Sequence, residues 1–314
     1  MKKIILFLML LTSSTQVYAR EKLNIVAGNR GYFDVTFSEF AEKAGFFKQC
    51  DIDIDHFYTS GGAETLEALL AGKGDIATGI TTSNALGAYQ KNAPIKIIGS
   101  SMFGVDQVYY ARSDSPINSV KDFNNKRIYY STSGSFSYII DNMINEKYKT
   151  NMSLVGTGNI SSTFVAVMTD QIDIGGMSPP TVIPDVISGK VKIVAKAEEL
   201  FPELKTQTVR VVVANNDSLN KKREAIKCWA DSVLKSLDYF YGNEEGPKLY
   251  SNMTDISLDS IIYTMKILTK DHYTHITDIS DDSLQQANID GVKYKFLSQP
   301  LTNEQLKNAF FSVR

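Results

Sequence analysis

From Lys22 onward the chain alternates short β-like runs with longer amphipathic segments. KLNIVAG (22–28) predicts a strand ending at Gly28. VTFSEFAEKAGFF (35–47) predicts a helix with Phe37, Phe40, Ala41 and Ala44 on one stripe, Thr36 and Glu39 spaced as a capping box, and Gly45 as its stop. DIDIDHFYT (51–59) alternates with period two and sets Ile52, Ile54 and His56 on one face of a strand. A helix (61–74), a strand (75–80), a further helix (83–91) and a strand (95–100) follow by the same criteria. Strands separated by helices of this length predict βαβ units around a mainly parallel sheet, an α/β fold.

The pattern then restarts. KRIYYSTSGSFSYIIDNMI (126–144) parallels the opening segment, with Gly31 and Phe33 matched by Gly134 and Phe136 at one offset. Ala68, Asp75 and Ile76 match Ala166, Asp173 and Ile174 at a second shared offset, and Lys96-Ile97 matches Lys192-Ile193. Collinear matches of this kind predict two similar lobes. VYYARSDS (108–115) echoes VVVANNDS (211–218). We read these two segments as the connections between lobes, which places lobe 1 at 20–110 and 215–314 and lobe 2 at 111–214. Two parallel crossings form a hinge. Beyond residue 220 the pattern is helical: Ala225, Cys228, Trp229, Ser232, Val233, Ser236 and Leu237 share a stripe that ends at Gly242, and Trp229 reads as core.

The first residues stand apart. Lys2 and Lys3 precede the apolar run Ile4 to Leu11 and a stretch ending Val17-Tyr18-Ala19, the layout of an export signal (1–19) cleaved after Ala19. The apolar run is shorter than the roughly 18–20 residues that cross a bilayer. No Cys lies beside the cleavage position, so a lipid anchor is not expected, and the mature chain reads as periplasmic.

With 43% hydrophobic and 22% charged residues and a net charge of -2, nothing in the composition favours nucleic acid or an anionic membrane. The two cysteines, Cys50 and Cys228, read equally as one disulfide or as two buried thiols. His272 and His275 have helical spacing but lack further strong ligands nearby, so no metal site is expected; His56 reads as packed. There is no GxSxG elbow, phosphate loop or full GxGxxG fingerprint, so no catalytic residue and no cofactor is assigned.

The informative chemistry lies where strands hand over to helices: GNRGYF (28–33), TSGGAE (59–64), TTSN (81–84), STSGSFS (131–137) and GMSPP (176–180). In an open α/β sheet such junctions gather along one edge, where helix N-termini present free N–H groups, hydroxyls add neutral donors, and glycine lets a ligand approach the backbone. Ser and Thr also cap any helix, but their recurrence at equivalent junctions in both lobes points to a ligand cleft.

In order and spacing, GYF…FAEKAGFFKQCDIDI, SGGAETLEALLAGKGDIATG, NAPIKIIGS, RSDSPINSVKDFNNKRI and GSFSYIIDNMI resemble the solute-binding proteins of the nitrate/sulfonate/taurine type. These are receptors of ABC importers, in the same broad group as the thiamine-precursor binders. The resemblance implies a type 2 periplasmic-binding-protein clamshell, a monomer that holds a small organic or anionic solute between its lobes and presents it to a membrane permease. By position it implies ligand contacts from Arg30, Gly31, Tyr32 and Phe33; from Ser60, Gly61 and Gly62; from Thr81, Thr82 and Ser83. The second lobe would add Thr132, Ser133, Gly134, Ser135 and Phe136, then Met177 and Ser178. Sulfonate binders often carry a Trp where this chain has GGMSPP, so the resemblance does not name the solute. An enzyme or a ligand sensor on the same fold is the alternative reading.

Overall fold

The structure is a computed structural model, and it describes residues 20–314. The expected export signal, residues 1–19, lies outside the described residues. The first half of the chain runs β1 (Glu21–Gly28), α1 (Phe33–Lys43), β2 (Ile52–Thr59), α2 (Gly62–Leu70), β3 (Ile76–Thr81), α3 (Thr82–Gln90) and β4 (Ile95–Phe103). It continues through β5 (Val108–Arg112), β6 (Arg127–Tyr130), α4 (Phe136–Tyr148), β7 (Ser153–Gly156), α5 (Ile160–Met168), β8 (Gly175–Met177), α6 (Pro179–Ile187) and β9 (Val191–Lys196). Then come α7 (Ala197–Leu200), β10 (Thr208–Asn215), α8 (Asn216–Lys221), α9 (Arg223–Gly242), α10 (Glu245–Thr254), α11 (Leu258–Met265), α12 (Asp281–Lys293) and α13 (Asn303–Ala309).

The first sheet has the order β2-β1-β3-β10-β4, with β10 antiparallel to both its neighbours. The second lobe is built from β8-β5-β9 and β6-β7, joined where Ile128 in β6 bridges Ile174 beside β8. Its order is therefore β7-β6-β8-β5-β9, the same plan with β5 as the antiparallel strand. The fold is the two-lobed α/β clamshell, each lobe a mainly parallel sheet flanked by helices.

The repeat is visible in single bonds. Asp75 accepts from the backbone N–H of Asn24 at 2.8 Å, and its counterpart Asp173 accepts from that of Arg127 at 2.8 Å, tying the approach to β3 onto β1 and the approach to β8 onto β6. The Thr59 and Thr65 hydroxyls meet at 2.6 Å, as do those of Thr157 and Thr163, fixing α2 and α5 to the ends of the preceding strands. Both pairs lie at the same offset as Asp75 and Asp173. Phe33 and Phe136, matched in sequence, are the first residues of α1 and α4.

Three expectations change. The echoing segments 108–115 and 211–218 are not the connections between lobes. They contain β5 and most of β10, the equivalent antiparallel strands inside each sheet, and their likeness is that of two buried strands with the same job. The chain crosses through residues 104–107 and 197–207, so the change of sheet does not fall at 110/111 or 214/215. Helix α1 also begins three residues before the expected cap. Thr36 lies inside it and accepts from the Gly31 N–H at 2.9 Å, while Glu39 faces Arg30 and Tyr58 instead of the helix start.

The core sits on both faces of the first sheet. Phe33, Phe37, Phe40, Phe240, Tyr250 and Tyr273 form an aromatic cluster between α1, α9 and α10, with edge-to-face contacts such as Phe33–Phe240 at 5.2 Å. Trp229 is fully buried and donates to the Ser38 hydroxyl at 2.8 Å, a core residue as expected. Cys50, after α1, and Cys228, in α9, are joined in a disulfide with 5.8 Å between Cα atoms. It clips the N-terminal unit to the helix that returns after the second lobe.

Candidate functional site

Every one of the helices α1 to α6 starts at the end of a strand or at the loop that follows it, and their N-caps are Tyr32, Gly61, Thr81, Ser135, Asn159 and Ser178. All six residues line one cavity of about 60 Å³ between the lobes. The convergence follows from topology: strands of one direction place their C-terminal ends on one edge, and two lobes facing each other give six helix starts around one space. Each start carries unpaired N–H groups and the positive end of a helix dipole.

The lobes are in contact around this space. Gly134 lies against Ala63 and Asn84, where a Cβ would come within 2.9 Å of the Ala63 Cβ and 3.1 Å of the Asn84 amide nitrogen. Gly31, held at φ +104°, faces Thr181 across the cleft. Helix α6 packs on α11, and Lys293 of α12 pairs with Glu146 of α4.

Of the residues expected from sequence, Tyr32, Gly61, Gly62, Thr81, Ser135, Phe136, Met177 and Ser178 line the cavity. The others are placed elsewhere. Arg30 forks onto Glu39 at 2.8 and 2.7 Å and donates to the Met253 carbonyl at 2.6 Å, so its charge is already used on the outside of α1. Phe33 is fully buried in the aromatic cluster, and Gly31 accepts from the Tyr250 hydroxyl at 3.2 Å. Ser60 bonds Glu64. The Thr82 hydroxyl donates to the Thr208 carbonyl at 2.7 Å and the Ser83 hydroxyl to that of Ala287 at 2.8 Å; these side chains look down the far side of α3 into a separate space of about 30 Å³. Thr132, Ser133 and Gly134 shape the turn before α4, where the Thr132 carbonyl accepts from the Ser135 hydroxyl at 2.7 Å, but they do not line the cavity.

The strongest electrostatic feature of the cavity was not anticipated. Arg210, the third residue of β10, donates through Nε to Asp34 at 2.8 Å and through an Nη to Asp106 at 2.6 Å. The three side chains are 13%, 2% and 3% exposed. Burial pushes Asp34 up to about 6 against the pull of Arg210. Burial also opposes the charge on Arg210, but Asp106 and Asp34 outweigh it and hold the guanidinium charged. Asp106 lies in the first crossing, Asp34 in the first turn of α1 and Arg210 just past the second crossing. No local motif joins three residues so far apart, and only the antiparallel placement of β10 brings Arg210 to the strand ends. Gln107, also in the first crossing, donates to the Tyr109 hydroxyl at 2.7 Å, and that hydroxyl donates to the fully buried Asp141 at 2.6 Å.

Glycine makes room at two points. Gly79 at φ +79° lies where a Cβ would strike Val35 at 2.5 Å, so it allows α1 and Asp34 to approach β3. A Cβ on Gly176 would meet the Tyr129 ring at 2.2 Å, so Gly176 lets that ring lie flat on β8 beside the cavity.

Among the described residues no group of three or more His, Cys, Asp or Glu could hold a metal ion, and no helix is long and apolar enough to cross a membrane. Among curated protein sequences none matches this chain. Solved structures do. The alkanesulfonate-binding protein SsuA from Xanthomonas axonopodis pv. citri, bound to MOPS, superimposes with a TM-score of 0.75 at 14% identity, over 92% of this chain and 98% of that one. The ligand-binding component of an ABC-type import system from Staphylococcus aureus, with zinc bound, gives 0.73 at 13% identity over 92% and 99%. The periplasmic aliphatic sulphonate-binding protein SsuA from Escherichia coli gives 0.65 at 15% identity, over 91% of each chain. These likenesses show the shared fold. A family model described as NMT1/THI5 like matches residues 26–246, and the chain belongs to that family.

Proposed function

We propose that this chain is an exported receptor that captures a small solute between its two lobes and delivers it to the permease of an ABC importer. The observation that carries the reading is the set of six helix N-termini, three from each lobe, around one small cavity. Such an arrangement offers many backbone donors to one molecule and engages both lobes only when they close on it. The solved relatives of this fold include proteins that bind sulfonates and a component of an ABC-type importer, in keeping with that role. The disulfide between Cys50 and Cys228 suits an oxidising compartment outside the cytoplasm.

The test uses residues 20–314, unfolded and refolded to strip carried-over ligand, then screened by thermal unfolding against small solutes. A ligand at about a hundred times its dissociation constant adds about 2.7 kcal/mol of stability. A single hit recovered chemically unchanged, with a smaller radius of gyration by small-angle scattering when bound, supports a receptor. Conversion of the ligand would make the protein an enzyme, and a radius that does not change would remove the closing clamshell.

A further inference from the structure

Two buried polar atoms of cavity-lining residues have no hydrogen-bond partner, one from each lobe: Asp34 Oδ1 and Ser178 Oγ. They differ in kind. A serine hydroxyl both donates and accepts, whereas a carboxylate oxygen only accepts. Asp34 gives its other oxygen to Arg210, and Arg210 is shared with Asp106, so this end of the cavity carries two carboxylates against one guanidinium. An acceptor buried with nothing to accept from is costly, and the cost ends when a ligand brings the donor. A ligand made only of acceptors, such as nitrate or a simple sulfonate, would set lone pairs against that oxygen. The helix starts around the rest of the cavity suit oxygen atoms of the ligand.

Resting on the receptor reading, we infer that the solute carries a protonated nitrogen with at least one N–H, seated on Asp34, while its oxygen-bearing part lies toward Ser178 and the helix starts. Asp34 is then the residue that sets specificity. It selects for an N–H cation, and a nitrogen without hydrogen, as in a quaternary ammonium group, leaves the oxygen unanswered.

The experiment compares sets of probes that differ only in the nitrogen: acetate, glycine and glycine betaine; propionate and β-alanine; ethanesulfonate and 2-aminoethanesulfonate; with nitrate as the acceptor-only extreme. Stabilisation on thermal unfolding, followed by calorimetric affinity for any hit, is read for wild type and for Asp34→Asn. The expected result is stabilisation by the N–H members alone, with affinity reduced at least tenfold in Asp34→Asn. Should that variant fold poorly, the wild type still decides through pH. The charged and titratable groups facing Asp34 are Arg210 and Asp106, with Tyr32, Tyr250 and Tyr273 held neutral by burial, so affinity for the N–H probe falls as pH drops below about 6, where Asp34 takes up a proton. Stabilisation by acetate, ethanesulfonate, nitrate or the betaine in preference to the N–H partners overturns the inference and leaves a receptor for anions. Silence from every probe overturns it as well, and scattering from protein charged with a cell extract of small molecules then judges the receptor reading separately.

Discussion

Replacing Cys50 and Cys228 together by serine opens a loop whose ends are 178 residues apart in sequence. That loop contains the whole second lobe, and both of its ends lie in the first. The bridge therefore restrains the unfolded chain strongly while asking little of the native hinge. Loop-closure entropy for a ring of that size comes to about 5 kcal/mol at 25 °C, and bridges in practice contribute about 2–4 kcal/mol. With an unfolding entropy of about 2.1 cal/mol/K per residue over roughly 300 residues, each kcal/mol is worth about 1.6 °C. A loss of about 2–5 kcal/mol then lowers the midpoint by about 3–8 °C. The assay is calorimetric unfolding of wild type, the double variant, and wild type in reductant. The reduced wild type keeps both sulfur atoms and so separates the cross-link from packing around Ser232, whose hydroxyl lies 3.3 Å from the Cys50 sulfur. A midpoint within about 2 °C of wild type in both comparisons would refute the argument that this bridge limits the unfolded state.

Ser135→Leu fills the cavity at the start of α4 and should abolish solute-induced stabilisation, while Thr82→Leu, outside the cavity, should leave it in place and instead cost about 1–3 kcal/mol by stranding the buried Thr208 carbonyl; equal loss of binding in both would misplace the site. Gly134→Val puts a side chain against Ala63 and Asn84, so affinity should drop at least tenfold with little change in the ligand-free melting point, and unaltered affinity would show that the lobes need not meet there. Asp75 is held below the usual carboxylate range: burial works against its charge, but Ser218, the Asn24 N–H and Lys222 outweigh it. A depressed carboxylate stabilises above its unfolded value and loses that contribution as pH falls, so stability should decline below about pH 4, and urea titrations should show a flatter acid limb in Asp75→Asn.

The βαβ rhythm, the repeat and the strand-to-helix junctions were legible because each rests on local periodicity and on turn residues whose conformations the sequence states. Gly45 stops α1 at φ 82°, as its position implied. Loop residues were harder to apportion. Arg30 and Tyr32 sit two positions apart, yet one faces Glu39 outside α1 and the other the cavity, because α1 starts at Phe33 and not after Thr36. A cap read at Thr36, four residues after the actual cap Tyr32, misassigns every side chain of that junction. Asn159 was missed because β7 is only four residues long and only partly buried, too short for a periodic signal. Arg210, Asp34 and Asp106 were invisible for a different reason: their proximity is a property of strand order.

That strand order also bears on the hinge. After each crossing the chain does not begin a new sheet at its edge; β5 inserts between β8 and β9, and β10 inserts between β3 and β4. The first sheet is thus completed only by a strand that returns after the second lobe, and each crossing runs from the edge strand of one sheet, β4 or β9, to the strand beside the edge of the other, β5 or β10. Asp106 belongs to one crossing and Arg210 follows the other, and their bond at 2.6 Å ties the two paths at the floor of the cavity. Any change in the angle between lobes must turn the backbone in segments that border these side chains. A solute seated on Asp34, as inferred above, therefore acts at the third corner of the same ion cluster that links the crossings.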